Sequence, residues 1–167
     1  RKFNKRPNVD TESADISINL HIAKHTCTVS LDSSGSSLHK RGYKSDMVTA
    51  PINEVLAAGL ILLSDWNKKS DFHDPMCGSG TILIEAALIA YNIPVNIFRD
   101  KFGFEGWKDF DKNLWETIKE VSLNKERHYY GSITGSDNFQ KAVRISRSNI
   151  ENALLRENIK VTKSDFF

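Results

Sequence analysis

The sequence predicts an α/β fold built on a parallel sheet, and three observations carry that prediction. Its second half alternates strand-like and helix-like stretches: a short strand at 71–74, an apolar helix from residue 82, a strand over 129–137, a helical pattern over 139–155 and a further strand from residue 159. Such β-α-β-α-β order builds a parallel sheet with right-handed crossovers. A Gly-rich turn, Cys77-Gly-Ser-Gly-Thr81, joins the first of these strands directly to its helix. Upstream, residues 15–22 and 26–32 alternate polar and apolar side chains, the period of a strand with one buried face. The expected architecture is therefore the first half of a Rossmann-like parallel sheet, preceded by a small antiparallel β unit and a helix. Residues 1–48 form a basic lead-in plus the β unit, and 49–167 a partial α/β domain with an insert at about 92–128.

In chain order, Ala23-Lys24-His25 turns the chain between the first two strands, and Ser33-Ser-Gly-Ser-Ser37 marks a loop. A third short strand is expected near Leu38. Pro51 suits the first position of a helix, with Thr49 as a nearby cap. Val55, Leu56, Gly59, Leu60, Leu63 and Trp66 recur at helical spacing, which predicts a buried stripe along residues 52–66. The insert is rich in aromatic residues (Phe98, Phe102, Phe104, Trp107, Phe110, Trp115) and is expected to carry a helix over 112–123. In the helix over 139–155, Ala142, Val143, Ile145, Ser146, Asn149, Ile150 and Ala153 mark the packed face.

Composition narrows the function classes. A chain of 167 residues, 40% hydrophobic and 26% charged, suits an ordinary globular domain with a real core. No stretch approaches the roughly 20 apolar residues of a membrane span, and the basic start is followed by no apolar run of the signal-peptide kind. Cys27 and Cys77 lie far apart, so a reduced, cytoplasmic setting is expected rather than a disulfide framework. The net charge of +2 is weak support for a nucleic-acid partner, although four basic residues cluster in 1–6 and six in 141–163. A solvated surface explains both runs equally well. His21 and His25 share a strand face only loosely, and no metal site is expected.

A turn at the carboxyl end of a parallel strand that opens a helix is where open α/β folds bind ligands. Gly78 and Gly80 let backbone approach a ligand closely, and the helix start at Ser79 or Gly80 offers free N–H groups to a carboxylate or phosphate. A nucleotide P-loop needs Lys before Ser/Thr, whereas Gly80 is followed directly by Thr81. A dinucleotide fingerprint would place Gly or Ala where Leu83 stands, and is the weaker fit. S-adenosylmethionine fits best: it is zwitterionic at its methionine end and carries a ribose that an acid at the next strand end, Asp137, can grip.

Asp74-Pro-Met-Cys-Gly-Ser-Gly-Thr-Ile-Leu-Ile-Glu-Ala-Ala resembles the first motif of the RNA methyltransferases that often carry a THUMP domain, a family that includes ribosomal RNA guanine-N2 methyltransferases. The resemblance extends upstream through Leu38-His-Lys-Arg-Gly-Tyr43 and Ala50-Pro51, and downstream to Gly135-Ser-Asp137 and Asp165. It implies that Asp74 and the turn Met76, Cys77, Gly78, Ser79, Gly80 and Thr81 cradle the methionine end and sugar side of S-adenosyl-L-methionine. Asp137 would take the ribose hydroxyls, Asp165 and Phe166 would border the adenine, and Ala50 and Pro51 would close over the methionine moiety. Simpler readings stand beside these: Pro75 and Met76 as shapers of the turn, Glu85 as a solvent-facing helix residue, Phe166 as core. Nothing near Cys77 in sequence supplies a base for a nucleophile.

The resemblance also implies a cofactor-binding half of an RNA methyltransferase, with guanine N2 of ribosomal RNA as target. A non-catalytic RNA-binding or assembly module, or a DNA adenine-N6 methyltransferase, would share much of the motif. The family's Asn/Asp-Pro-Pro-Tyr/Phe segment, which positions the target amine, is not among these residues: Pro7, Pro51, Pro75 and Pro94 are never adjacent. The catalytic residues are therefore expected beyond residue 167. The remainder of the polypeptide, or a partner chain, is expected to complete the sheet, and Arg1–Phe167 alone is expected to be inactive.

Overall fold

The computed structural model describes residues 9–10, 14–44 and 51–165. The chain divides into two compact units, one made of residues 1–37 with 100–112, the other of residues 38–99 with 113–167. The larger unit thus begins upstream of residue 49, and a piece of the insert belongs to the smaller one.

In the smaller unit, β1 (Ile18–Ala23) and β2 (Thr26–Leu31) form an antiparallel hairpin around Lys24, whose φ of 54° supplies the left-handed turn. The register pairs Ile18 with Leu31, Leu20 with Val29 and Ile22 with Cys27, which gathers the apolar side chains on one face. That face is exposed rather than half-buried. The 3-10 turn Gly103–Gly106 adds to this unit through a hydrogen bond from Phe104 N–H to the Ser33 carbonyl. A Cβ on Gly103 would lie 2.9 Å from both the Asp32 carbonyl oxygen and the Gly35 nitrogen, so only glycine permits that approach.

The larger unit holds the parallel sheet. Strands β3 (Phe72–Asp74), β4 (Ile133–Asp137) and β5 (Ile159–Lys163) lie side by side in that order, with Asp74 opposite Gly135 and Asp137 opposite Lys163. Two helices provide the crossovers: α2 (Thr81–Tyr91) after β3 and α4 (Gln140–Asn152) after β4. Leu83, Ile84, Ala87, Leu88, Ile133, Val143, Ile150 and Ile159 fill the core between them. Helix α3 (Lys112–Leu123) occupies the span expected for it. The α/β alternation, the parallel sheet and the hairpin are those the sequence predicts.

Three local expectations are corrected. Leu38 and His39 form a turn, not a strand: the Arg41 guanidinium reaches back to the Leu38 carbonyl, which ties the segment into a tight bend. Helix α1 spans Glu54–Leu63, and Pro51 precedes it. Its cap is Asn53, whose side chain accepts from Val55 N–H and Leu56 N–H; Thr49 lies outside the described residues. Finally, α1 buries Glu54, Ala57 and Ile61, whereas Val55, Leu56, Leu60 and Leu63 are exposed. With Glu54, Ala57 and Ile61 turned inward, Val55, Leu56, Leu60 and Leu63 lie on the outer side of the helix.

Candidate functional site

The carboxyl ends of β3, β4 and β5 lie at one edge of the sheet, and the Gly-rich turn leaves from the first of them. Pro75 and Met76 turn the chain, and the Asp74 carboxylate accepts from Met76 N–H at 3.1 Å. Cys77 N–H donates to the Ser136 carbonyl, and Ser136 Oγ to the Pro75 carbonyl, so the turn is fastened to β4 at two points. Gly78 and Gly80 both take left-handed backbone, φ 53° and 80°. At Gly80 a Cβ would stand 2.4 Å from Ser146 Oγ, so α4 itself demands glycine there. A Cβ at Gly135 would stand 2.4 Å from the Leu83 side chain, which shows how tightly α2 packs on β4.

Helix α2 has Gly80 as its N-cap and no side chain satisfying its first-turn N–H groups. An uncapped start leaves donors and positive dipole character for an anion. Ser79 and Thr81 are buried with their hydroxyls 3.2 Å apart, and Asn149 of α4 donates to the Ser79 carbonyl at 3.0 Å. Asn149 holds the turn through that bond, and Ser146 packs closely against Gly80. The sequence marked them only as positions on the packed face of α4, since nothing in a helical period says that a polar residue there grips a loop.

Asp137 ends β4. One carboxylate oxygen accepts from Gly78 N–H at 3.0 Å, the other from Phe139 N–H at 2.9 Å. Each oxygen retains a further acceptor position. The acid and the turn are therefore one constellation. Asp74, at the end of the neighbouring strand, has its carboxyl pushed above the usual range, chiefly by burial, with Asp137 adding to the rise and the Met76 N–H and His73 opposing it. The Cys77 side chain faces the core, and its thiol is pushed up to about 11 by burial first and then by Asp74, so it stays protonated and carries no nucleophile. Met76 is exposed at the turn. Asp165 follows the end of β5, where Ser164 N–H donates to the Asp137 carbonyl. Pro51 stands half-buried ahead of α1. Ala50 and Phe166 lie outside the described residues.

A second cluster was not legible beforehand. Glu85 faces neither solvent nor the turn but is fully buried, accepting from the Tyr43 hydroxyl at 3.0 Å and meeting the Arg41 guanidinium at 3.5 Å. Burial pushes its carboxyl up, against the opposing pull of Arg41 and the Tyr43 hydroxyl. Beside it Lys44 pairs with Glu54 at 3.1 Å, and Asn152 donates to the Tyr43 carbonyl. The segment 41–44 is thus bonded to α1, α2 and α4. Among the described residues no group of three or more acidic, His or Cys side chains could hold a metal, and no helix is long and apolar enough to cross a membrane.

Comparison with known proteins converges on one family. Residues 41–167 match the family described as "RMKL-like, methyltransferase domain", and residues 1–32 match the THUMP domain, so the lead-in and hairpin carry the THUMP match. A Synechocystis protein named "Putative RNA methyltransferase slr0064" is 37% identical over 99% of this chain and 43% of its own length. A crystal structure of SMU.472, "a putative methyltransferase complexed with SAH", superposes with a TM-score of 0.80 at 35% identity, covering 89% of this chain and 39% of that one. A "possible methylase" from Clostridium difficile 630 gives a TM-score of 0.83 at 36% identity, over 98% and 43%. A "predicted N6-adenine-specific DNA methylase" from Listeria monocytogenes gives 0.82 at 34%, over 90% and 40%. The chain spans about two fifths of the length of these relatives.

Proposed function

The chain belongs to the RMKL-like methyltransferase-domain family, and from that premise we propose that its Gly-rich turn holds S-adenosyl-L-methionine and that the whole protein methylates RNA. The observation that carries the cofactor reading is the bond between Asp137 and Gly78 N–H: a strand-end acid fixed against a glycine turn that opens an uncapped helix. The first-turn N–H groups of α2 would receive the methionine carboxylate. The free acceptor positions of Asp137 would take the ribose hydroxyls. Asp74 and the turn 76–81 would border the methionine and sugar, Asp165 and Phe166 the adenine, and Ala50 and Pro51 the methionine moiety from the other side. Cys77 would contribute backbone alone, since its thiol is in the core. The cofactor supplies an electrophilic methyl group on a sulfonium, and the protein's contribution is to hold that methyl in line with a nucleophilic amine.

RNA is favoured as substrate by the THUMP match, by the name of the Synechocystis relative and by the Arg41-Gly-Tyr43 and Ala50-Pro51 context; guanine N2 of ribosomal RNA is the target we propose, in the cytoplasm. The Listeria neighbour's name supplies the specific reason to test DNA adenine beside it. The catalytic segment is proposed to lie outside these residues, so Arg1–Phe167 should bind cofactor without transferring methyl.

Calorimetry with S-adenosylhomocysteine tests the pocket. Asp137→Ala should weaken binding by roughly one to two decades, as expected for a charged hydrogen bond of about 1.5–3 kcal/mol. Gly78→Val with Gly80→Val should abolish it. Unchanged affinity in both variants would rule out this pocket. Transfer of labelled methyl by the whole protein to ribosomal RNA, and not to DNA, tests the substrate; transfer to DNA adenine alone would replace it.

A further inference from the structure

Polar residues recur at every third position along the second half of α4: Ser146, Asn149 and Asn152. Each meets a segment outside the helix. Ser146 is fully buried against Gly80. Asn149 is fully buried as well, and its Nδ2 donates to the Ser79 carbonyl at 3.0 Å. Asn152 donates to the Tyr43 carbonyl at 3.1 Å. A buried amide lowers stability unless it is bonded, and an apolar side chain would fill the same core position without that cost. Asn at position 149 therefore answers a need of the turn. The peptide it holds joins Ser79 to Gly80, and the N–H of that same peptide donates to the Cys77 carbonyl at 2.7 Å. Both polar ends of one peptide group are thus occupied, one by the turn itself and one by α4. Gly80, with its left-handed φ of 80°, is also the N-cap of α2, so the orientation of this peptide sets where the helix begins.

We propose that Asn149 is a positioning residue for S-adenosyl-L-methionine, which rests on the cofactor reading above: by holding the Ser79 carbonyl it fixes the Ser79–Gly80 peptide and with it the first-turn N–H groups of α2. Asn149 touches no ligand and acts through the turn. Without its donor the Ser79 carbonyl is left in a buried place with no partner, and the peptide is free to rotate toward another one. Such a rotation moves Gly80, breaks its bond to the Cys77 carbonyl and turns the helix start away from the methionine carboxylate. Ligand binding must then restore the order that α4 supplies in the native chain, and affinity falls by that amount. The Asp137 bond to Gly78 N–H fixes the other side of the same turn, so the two contacts divide the task between β4 and α4.

The test is S-adenosylhomocysteine affinity by calorimetry in the whole protein and three variants, each shown by urea unfolding to be folded where affinity is measured. Asn149→Ala should weaken binding about tenfold. Ile150→Val, its neighbour in the core of α4, should lower stability and leave affinity unchanged. Asn149→Asp separates positioning from packing. Its carboxylate cannot donate to a carbonyl, its protonated form can, and burial raises the pH at which it ionises. Its affinity relative to wild type should therefore approach one at about pH 5 and fall to about a tenth or below at about pH 8. Taking the ratio to wild type removes the titration of Asp74, Asp137 and Cys77, which both proteins share. Wild-type affinity in Asn149→Ala overturns the proposal. An equal loss in Ile150→Val also overturns it, as does a pH-independent ratio in Asn149→Asp, because either makes position 149 a matter of packing alone. In those cases the wild type still binds and the cofactor reading stands. No binding by the wild type sinks the cofactor reading and this proposal with it.

Discussion

Helices α1 and α2 are close in length, 10 and 11 residues, and both are apolar along most of their sequence, yet they do opposite things. Helix α2 is buried almost all round between the sheet and its neighbours, carries one fully buried carboxylate, and leaves its N-terminus without a side-chain cap. Helix α1 spends its first N–H groups on Asn53 and turns Val55, Leu56 and Leu60 outward, with Leu63 at 82% exposure. The contrast teaches that a free helix start is a structural choice. Where the donors are satisfied internally the helix is scaffold; where a left-handed glycine replaces the cap, they are left without a side-chain partner, as the proposed cofactor site requires. Each helix nonetheless buries one paired carboxylate, Glu85 of α2 with Arg41 and Glu54 of α1 with Lys44.

That contrast can be broken from its strongest side first. Glu85→Ala should leave the Arg41 guanidinium buried without its counter-ion and lower stability by about 3–5 kcal/mol, read by urea unfolding; a loss below about 1 kcal/mol would show that the pair carries little. Because burial raises the Glu85 carboxyl in the folded state above its ordinary 4.5, the folded state holds this proton more tightly than the unfolded one. The stabilisation from this group is full below that ordinary value and is lost as pH rises through the folded one. Glu85→Gln should flatten that fall, and a stability–pH curve parallel to wild type would contradict it.

Capping comes next. Asn53→Ala frees two donors of α1 and should cost about 1 kcal/mol without changing cofactor-product affinity, because α1's start is scaffold. A cofactor effect as large as that of Asp137→Ala would erase the distinction between the two helix starts. Alkylation sharpens the same division between enclosed and open regions: in the native chain at mildly alkaline pH, iodoacetamide should modify exposed Cys27 and spare Cys77, whose thiol stays protonated in the core. Modification of both, resolved by mass spectrometry of the peptides, would mean the core opens readily. The smallest effect belongs to Leu63→Ser, expected within about 0.5 kcal/mol of wild type because the side chain is in solvent.

Much of the site was readable beforehand because it is written locally. A turn that must take left-handed backbone between a strand and a helix needs glycine, and Gly78-Ser-Gly80 states that in consecutive letters. The strand-end position of Asp137 follows from element order, whereas its bond to Gly78 N–H is given by the fold. The two strands of the hairpin followed from alternation, although alternation could not say whether anything covers the apolar face.

By itself, then, the sequence determined the element order, the parallel crossovers, the hairpin and the glycine turn, since each depends on residues a few positions apart. Tertiary structure alone decided which face of α1 is buried, because a helix with apolar residues on more than one side packs wherever its neighbour comes closest. It alone paired Glu85 with Arg41 and Tyr43 across more than forty positions, and set Asn149 of α4 on the Ser79 carbonyl. A buried polar side chain takes its meaning from its partner, and local spacing holds no record of a partner brought there by the fold.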